Sequence, residues 1–132
     1  MSLSKRNMHT PDHITKLPKN CIFVFGSNRA GQHIGGAAKL AHEQFGAEMG
    51  VGEGLTGQSY AFPTLDENMQ PVGVFDLLRS KMRLYSWCWS HPEKTFYLTK
   101  VGCGIAGFKE EDMQLVFADN VPVLNLIRPK NW

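Results

Sequence analysis

Two glycine-rich turns each follow an apolar run, at the point where a strand should hand over to a helix. The first, Gly26-Ser27-Asn28-Arg29-Ala30-Gly31-Gln32-His33-Ile34-Gly35-Gly36, comes directly after Cys21-Ile22-Phe23-Val24-Phe25. The second, Gly102-Cys103-Gly104-Ile105-Ala106-Gly107, comes directly after Phe96-Tyr97-Leu98-Thr99-Lys100-Val101. A turn that opens a helix leaves backbone N–H groups unpaired and brings the positive end of the helix dipole to one spot. Two such turns, if neighbours in space, make a cradle for a ligand with more than one phosphate.

The rest of the chain reads as an alternation around these turns. Residues 21–25 form a continuous β-prone run, the pattern of a strand buried on both faces. Residues 36–45 follow as a helix with Ala37, Leu40, Ala41 and Phe45 inward and Gly46 as its stop. The glycine-rich stretch 50–57 reads as a loop, and 59–62 as a strand that Pro63 ends. A second helical stripe over 74–89 carries Val74, Leu77, Leu78, Met82, Tyr85, Cys88 and Trp89, which makes Trp89 core and Trp87 half-exposed. Residues 95–101 read as the third strand. A third helix follows, with Glu110, Glu111 and Asp112 in its first turn and Met113, Val116 and Phe117 inward. Residues 121–127 read as a last strand, placed near a sheet edge by Pro122.

This order predicts an α/β fold with a mostly parallel sheet and helices on both sides. In such sheets ligands sit at the carboxyl ends of the strands, where strand order reverses. The unusual loops 26–36, 63–71 and 102–108 all leave the carboxyl end of a predicted strand, so they should converge. At 132 residues the chain is expected to be one domain, with 1–19 as a loosely attached arm or short edge element.

Composition removes several function classes. No apolar run approaches the ~20 residues that span a bilayer. The opening Met1-Ser2-Leu3-Ser4-Lys5-Arg6 lacks the apolar stretch of a secretion signal. Cys21, Cys88 and Cys103 are scattered, with no C-x-x-C pair and no histidine at metal-ligand spacing. A cytoplasmic protein with reduced thiols, no metal site and no cofactor is the expectation. The net charge of +2 is mixed in sign along the chain, and its densest basic stretch, 79–83, reads as a solvated helix face rather than a nucleic-acid patch.

Neither turn matches a common nucleotide fingerprint. The first lacks the Lys-Ser/Thr pair of a Walker A loop and the G-x-G-x-x-G spacing of a dinucleotide fold. Asn28 carries donors and an acceptor suited to sugar hydroxyls, or to an Asx bond within its own loop. His33 sits among glycines with little to pack on; contact with phosphate, acid–base work and plain exposure are its readings.

The runs Val24-Phe25-Gly26-Ser27-Asn28, Gly35-Gly36-Ala37-Ala38 and Val101-Gly102-Cys103-Gly104-Ile105-Ala106-Gly107-Phe108 together resemble the macrodomain superfamily, above all compact bacterial and phage members. The likeness extends over residues 11–127. It implies a three-layer α/β/α sandwich that binds ADP-ribose, free or on a macromolecule. It also implies a site built from Asp12, Gly26, Ser27, Asn28, Gly31, Gly35, Gly36, Gly102, Cys103, Gly104, Ile105, Ala106, Gly107 and Phe108. Asp12 would hold adenine, Asn28 the distal ribose, and the N–H groups of 29–36 and 103–107 the diphosphate, with Phe108 capping the cleft.

The sequence also departs from the family's hydrolases. Some branches that cleave ADP-ribose from proteins carry an aspartate where Ala106 stands and a lysine on a strand that 59–66 does not supply, and the three-glycine run plus aspartate of another hydrolysing branch is absent. Asn28, His33, Glu53 and Asp66 remain as polar groups near the expected cleft. Hydrolysis of an ADP-ribosyl bond, or of the phosphate of ADP-ribose 1″-phosphate, would rest on Asn28 orienting a water and His33 or the phosphate accepting its proton. A third reading makes the glycine turns purely structural, with Tyr85, Trp87 and Trp132 as anchors for a protein partner.

Overall fold

The computed structural model describes residues 8–132; the start of the expected arm, 1–7, lies outside the described residues. Among the described residues the fold is mixed α/β, with a mostly parallel five-stranded sheet and three helices. The elements are β1 (Cys21–Asn28), α1 (Gly36–Gln44), β2 (Gly54–Thr56), β3 (Ser59–Leu65), α2 (Val74–Ser90), β4 (Thr95–Leu98), α3 (Glu110–Phe117) and β5 (Leu126–Ile127). Strand order across the sheet is β2-β3-β1-β4-β5. β1 pairs parallel with both β3 and β4, β4 pairs parallel with β5, and only β2 runs antiparallel, against β3.

This order fixes where the loops go. The chain leaves β1 for β3 on one side, then crosses back to β4 on the other, so connections diverge around β1. Because β1, β3 and β4 are parallel, Asn28, Leu65 and Leu98 end them at the same edge of the sheet.

Side-chain alternation divides the core. Phe23, Phe25 and Ala61 pack with Ala38, Ala41 and Phe45 of α1 and its end. Ile22, Val24, Tyr60, Phe62, Phe96 and Leu98 pack with Leu77, Leu84, Tyr85 and Cys88 of α2 and with Met113, Val116 and Phe117 of α3. Successive residues of one strand thus serve opposite faces.

Several element expectations need correction. β3 runs through Pro63 to Leu65. The Gln58 carbonyl accepts from the Phe23 N–H, and residues face alternate neighbours, so Pro63 faces away from β1. β2 covers only Ser59–Ala61, so the missing N–H of Pro63 costs no ladder bond. Within the expected 50–57 loop, three residues form β2.

β4 stops at Leu98, because Thr99 gives both its N–H and its hydroxyl to the Val24 carbonyl, at 3.1 and 2.7 Å, and the chain turns. Of 121–127 only Leu126 and Ile127 pair. Before them the Asn125 side-chain amide donates to the carbonyls of Cys88, His91 and Lys94, closing the end of α2, while its backbone carbonyl accepts the Phe96 N–H of β4 at 2.8 Å. The described part of the arm is not loose, for Thr10 bonds the Arg128 and Ile127 carbonyls at 2.8 and 3.0 Å.

On α2 the stripe is shifted. Val74, Met82 and Trp89 are exposed, whereas Ser80, Lys81 and Leu84 are buried. Trp87, not Trp89, packs against the core, and Trp89 gives its indole N–H to the Pro122 carbonyl. The basic stretch is therefore not wholly a solvated face. Lys81 is only 8% exposed and donates to the Val116 carbonyl and the Asp119 carboxylate. Among the described residues no helix is long and apolar enough to cross a membrane.

Candidate functional site

The two glycine turns meet. A β-carbon on Gly26 would stand 3.2 Å from the Gly102 nitrogen, and one on Gly35 would stand 3.2 Å from Ile105 Cδ1. At the first of these contacts backbone lies on backbone, which is why Gly26 cannot carry a side chain without prising the turns apart. Gly102 adopts φ +81° with Phe108 and Met113 packed behind it, a second requirement for glycine.

Between the turns lies a cavity of about 320 Å³. Gly26, Ser27, Asn28, Gly35 and Gly36 line it from one side, and Gly102, Gly104, Ile105 and Ala106 from the other. Thr64, Leu65 and Met69 contribute from the end of β3, so all three expected loops reach it. A second cavity of about 320 Å³ lies alongside, lined by Thr10, Asp12, Ile14, Phe23 and Leu40 among others. Ala37, Thr99 and Lys100 belong to both, which makes the two halves one groove. Asp12 is thus about one compartment away from the glycine turns.

Hydrogen bonding inside the turns narrows the N–H groups left for a ligand. Those of Arg29, Gly31, Gln32 and His33 are spent on Leu65, Asn28 and Met49 acceptors, and those of Cys103 and Gly107 on the Lys100 and Gly104 carbonyls. Among the described residues, the N–H groups of Ile34, Gly35, Gly36, Ala37 and Ala38 have no acceptor, nor do those of Gly104, Ile105 and Ala106. The first set includes the opening turn of α1, where the helix dipole adds positive potential. Ile34 and Ile105, 70% and 71% exposed, stand at the mouth of the same cavity, one from each turn.

Other expected site residues fall elsewhere. Gly31 is buried against the backbone of Gly50 and Val51 and supports the turn rather than lining the cavity. Gly104 does not adopt left-handed backbone, and a β-carbon there meets open space. The left-handed glycines of that turn are Gly102 and Gly107. Phe108 packs beneath Gly102 on the α2–α3 side, not as a cap over the cleft. Cys103 also turns toward the core, and burial, reinforced by Glu110, raises its thiol pKa above the usual value. A thiol so placed is a poor nucleophile.

Asn28 lines the cavity, but its amide clips its own turn, donating to the Gln32 carbonyl at 2.9 Å and accepting the Gln32 N–H at 3.0 Å. His33 is 1% exposed and lies outside the lining. Its ring stands edge-on to Phe25, 5.1 Å between centroids, and Nε2 is 3.1 Å from the Val51 carbonyl. Burial lowers its pKa below 6.5, and the nearby backbone of Glu48 and Val51 offsets this only in part. It is a packed histidine, neither exposed nor in reach of the groove.

Glu53 pairs with Arg83 at 2.9 Å, and Asp66 accepts the N–H groups of Asn68 and Gln70 within its own loop. Of the aromatic anchors considered for a protein partner, Tyr85 is fully buried, and Trp132 stacks near Phe117 at 5.7 Å.

Sequence reasoning missed Lys100, Thr99 and Thr64. Strand patterning absorbed Thr99 and Lys100, which the early end of β4 brings to the groove, while Thr64 lay in the expected converging loop 63–71 without being singled out and reaches the groove from β3. The chain matches no protein-family model, and no curated protein or solved structure gives a significant match.

Proposed function

We propose that this chain is a macrodomain-like module that binds ADP-ribose or a closely related adenine nucleotide in the cytoplasm. The observation that carries the reading is the pair of glycine turns in contact, with two sets of unspent N–H groups on residues that line one cavity. Each charge-assisted bond from such a donor to a phosphate oxygen contributes on the order of 1.5–3 kcal/mol, so a few reach micromolar affinity after the costs of association. The adjoining cavity at Asp12 gives room for a base at the far end of a dinucleotide-sized ligand. A three-layer α/β/α sandwich belongs to the same proposal, supported by α1 packing with Phe23 and Phe25 while α2 and α3 pack with Val24 and Phe62.

Binding is favoured over hydrolysis at this site. Among the described residues, Lys100 is the only titratable side chain lining the cavity between the turns, and none of them supplies a general base there. Calorimetry with ADP-ribose, ADP, AMP and NAD tests the reading. Micromolar binding of ADP-ribose is expected, and turnover of ADP-ribosylated protein by the same sample would overturn the non-catalytic part.

A further inference from the structure

The two halves of the groove are joined at Ala37, Thr99 and Lys100, so whatever links the two ends of a ligand must pass these residues. Ala37 offers only its N–H there. The Thr99 hydroxyl is spent on the Val24 carbonyl at 2.7 Å. Among the described residues, Lys100 is the only lysine or arginine lining either half. The one cation of the first glycine turn, Arg29, is turned away to Asp76 at 3.2 Å and Glu67 at 3.9 Å. Lys100 therefore stands at the waist of the groove, with its ammonium resting on Glu110, a residue that lines neither half.

That side chain is held by a partner. Lys100 Nζ lies 3.2 Å from Glu110 Oε1, and the two side chains are 44% and 40% exposed. A half-exposed pair of long side chains is weak and opens readily for a better acceptor. Glu110 sits in the first turn of α3, whose dipole stabilises its carboxylate when the lysine leaves.

We infer that Lys100 reads the charge of the ligand's linker, and that Glu110 holds it until a phosphate displaces the carboxylate. This rests on the proposed nucleotide-binding reading. It sharpens the ligand class to one whose two ends are joined by phosphate, against two-part ligands with a neutral link. Glu110 lowers affinity for every such ligand by competing for the same ammonium group.

The test is calorimetry with ADP-ribose, ADP and adenosine on wild type, Lys100→Met, Lys100→Arg, Glu110→Gln and the Lys100→Met/Glu110→Gln double variant. Lys100→Met should weaken ADP-ribose and ADP at least about 10-fold, the scale of one charge-assisted contact, and leave adenosine unchanged. Lys100→Arg should restore most of the loss, because it keeps the charge. Glu110→Gln should tighten ADP binding about 3-fold in wild type and have little effect beside Lys100→Met, a coupling that only a shared contact produces. Wild-type binding of ADP-ribose with Lys100→Met silent, or equal losses for adenosine and ADP, would overturn the role of Lys100 alone. Wild type that binds none of the three removes the nucleotide reading and this inference with it.

Discussion

The cleft between the glycine turns and the polar cluster beneath α2 treat the same kind of atom in opposite ways. Under α2, Lys81 donates to the Val116 carbonyl at 2.8 Å and to Asp119 at 2.9 Å, and the Tyr85 hydroxyl donates to Asp119 at 2.8 Å. Arg128 completes the cluster with bonds to the Phe117 carbonyl and to Tyr85. Charged and polar groups there have their partners inside the protein. In the cleft the N–H groups of 34–38 and 104–106 are left with none. Buried donors without acceptors are costly, so a fold keeps such a row only where water or a ligand reaches it. The contrast separates groups that hold the fold from groups available to a partner.

Breaking the closed cluster should give the largest effect. Asp119→Ala leaves Lys81 buried without its carboxylate and should cost about 3 kcal/mol, read from the midpoint of urea unfolding. Nucleotide affinity of the folded protein should not change. A loss confined to affinity would mean that the two regions are not separate.

In the cleft the effect should reverse. Gly104→Val places its side chain in open space without backbone strain, so unfolding should stay near wild type. The same side chain intrudes on the cavity, and ADP-ribose should bind at least ~100-fold more weakly, equal to ~2.8 kcal/mol. Cys103→Ser is the control and should bind nearly normally, since its thiol faces the core. A silent Gly104→Val with a dead Cys103→Ser would reverse the assignment of that turn.

The smallest effects are those of pH. Burial alone would raise the Asp119 carboxyl, but bonds from Lys81, Tyr85 and the Val121 N–H outweigh it and hold it below its ordinary value. Its contribution is therefore complete above about pH 4, the unfolded value, and lost as pH falls through the lower folded value. Asp119→Asn should flatten that part of the stability curve. His33 acts in a higher window. Its pKa is lowered by burial, so stability is full above 6.5 and declines as pH falls below it, a slope that should vanish in His33→Gln. An unchanged slope would mean that another group titrates there.

Much of this division was legible in the sequence, for reasons tied to particular residues. The run 21–25 reads as a buried strand because every residue in it is apolar, and the turns after it betray themselves by glycine. Gly46 stops α1 as expected, with the Ala47 N–H reaching back to the Ala41 carbonyl. What stayed hidden depends on contacts far along the chain. β2 is too short to carry a pattern and exists only by pairing with β3. Lys81 reads as solvated until Asp119, which has no sequence relation to it, meets it across α2 and α3. His33 looks unpacked because the residues that bury it, Phe25 and Val51, lie on a strand and a distant loop. In the site, the glycines were visible but the roles among them were not. Gly31 supports the turn while Gly35 and Gly36 line the cavity, a difference set by whether the loop at Gly50 lies alongside.

The central claim is that the unspent N–H groups between the two turns are a diphosphate site. Titration of wild-type protein with ADP-ribose in a calorimeter, followed by ADP and AMP, addresses it most directly. The account predicts micromolar binding of ADP-ribose, with affinity falling from ADP to AMP as the second phosphate is lost. Absence of heat from ADP-ribose at millimolar concentration, with the protein folded, would contradict it.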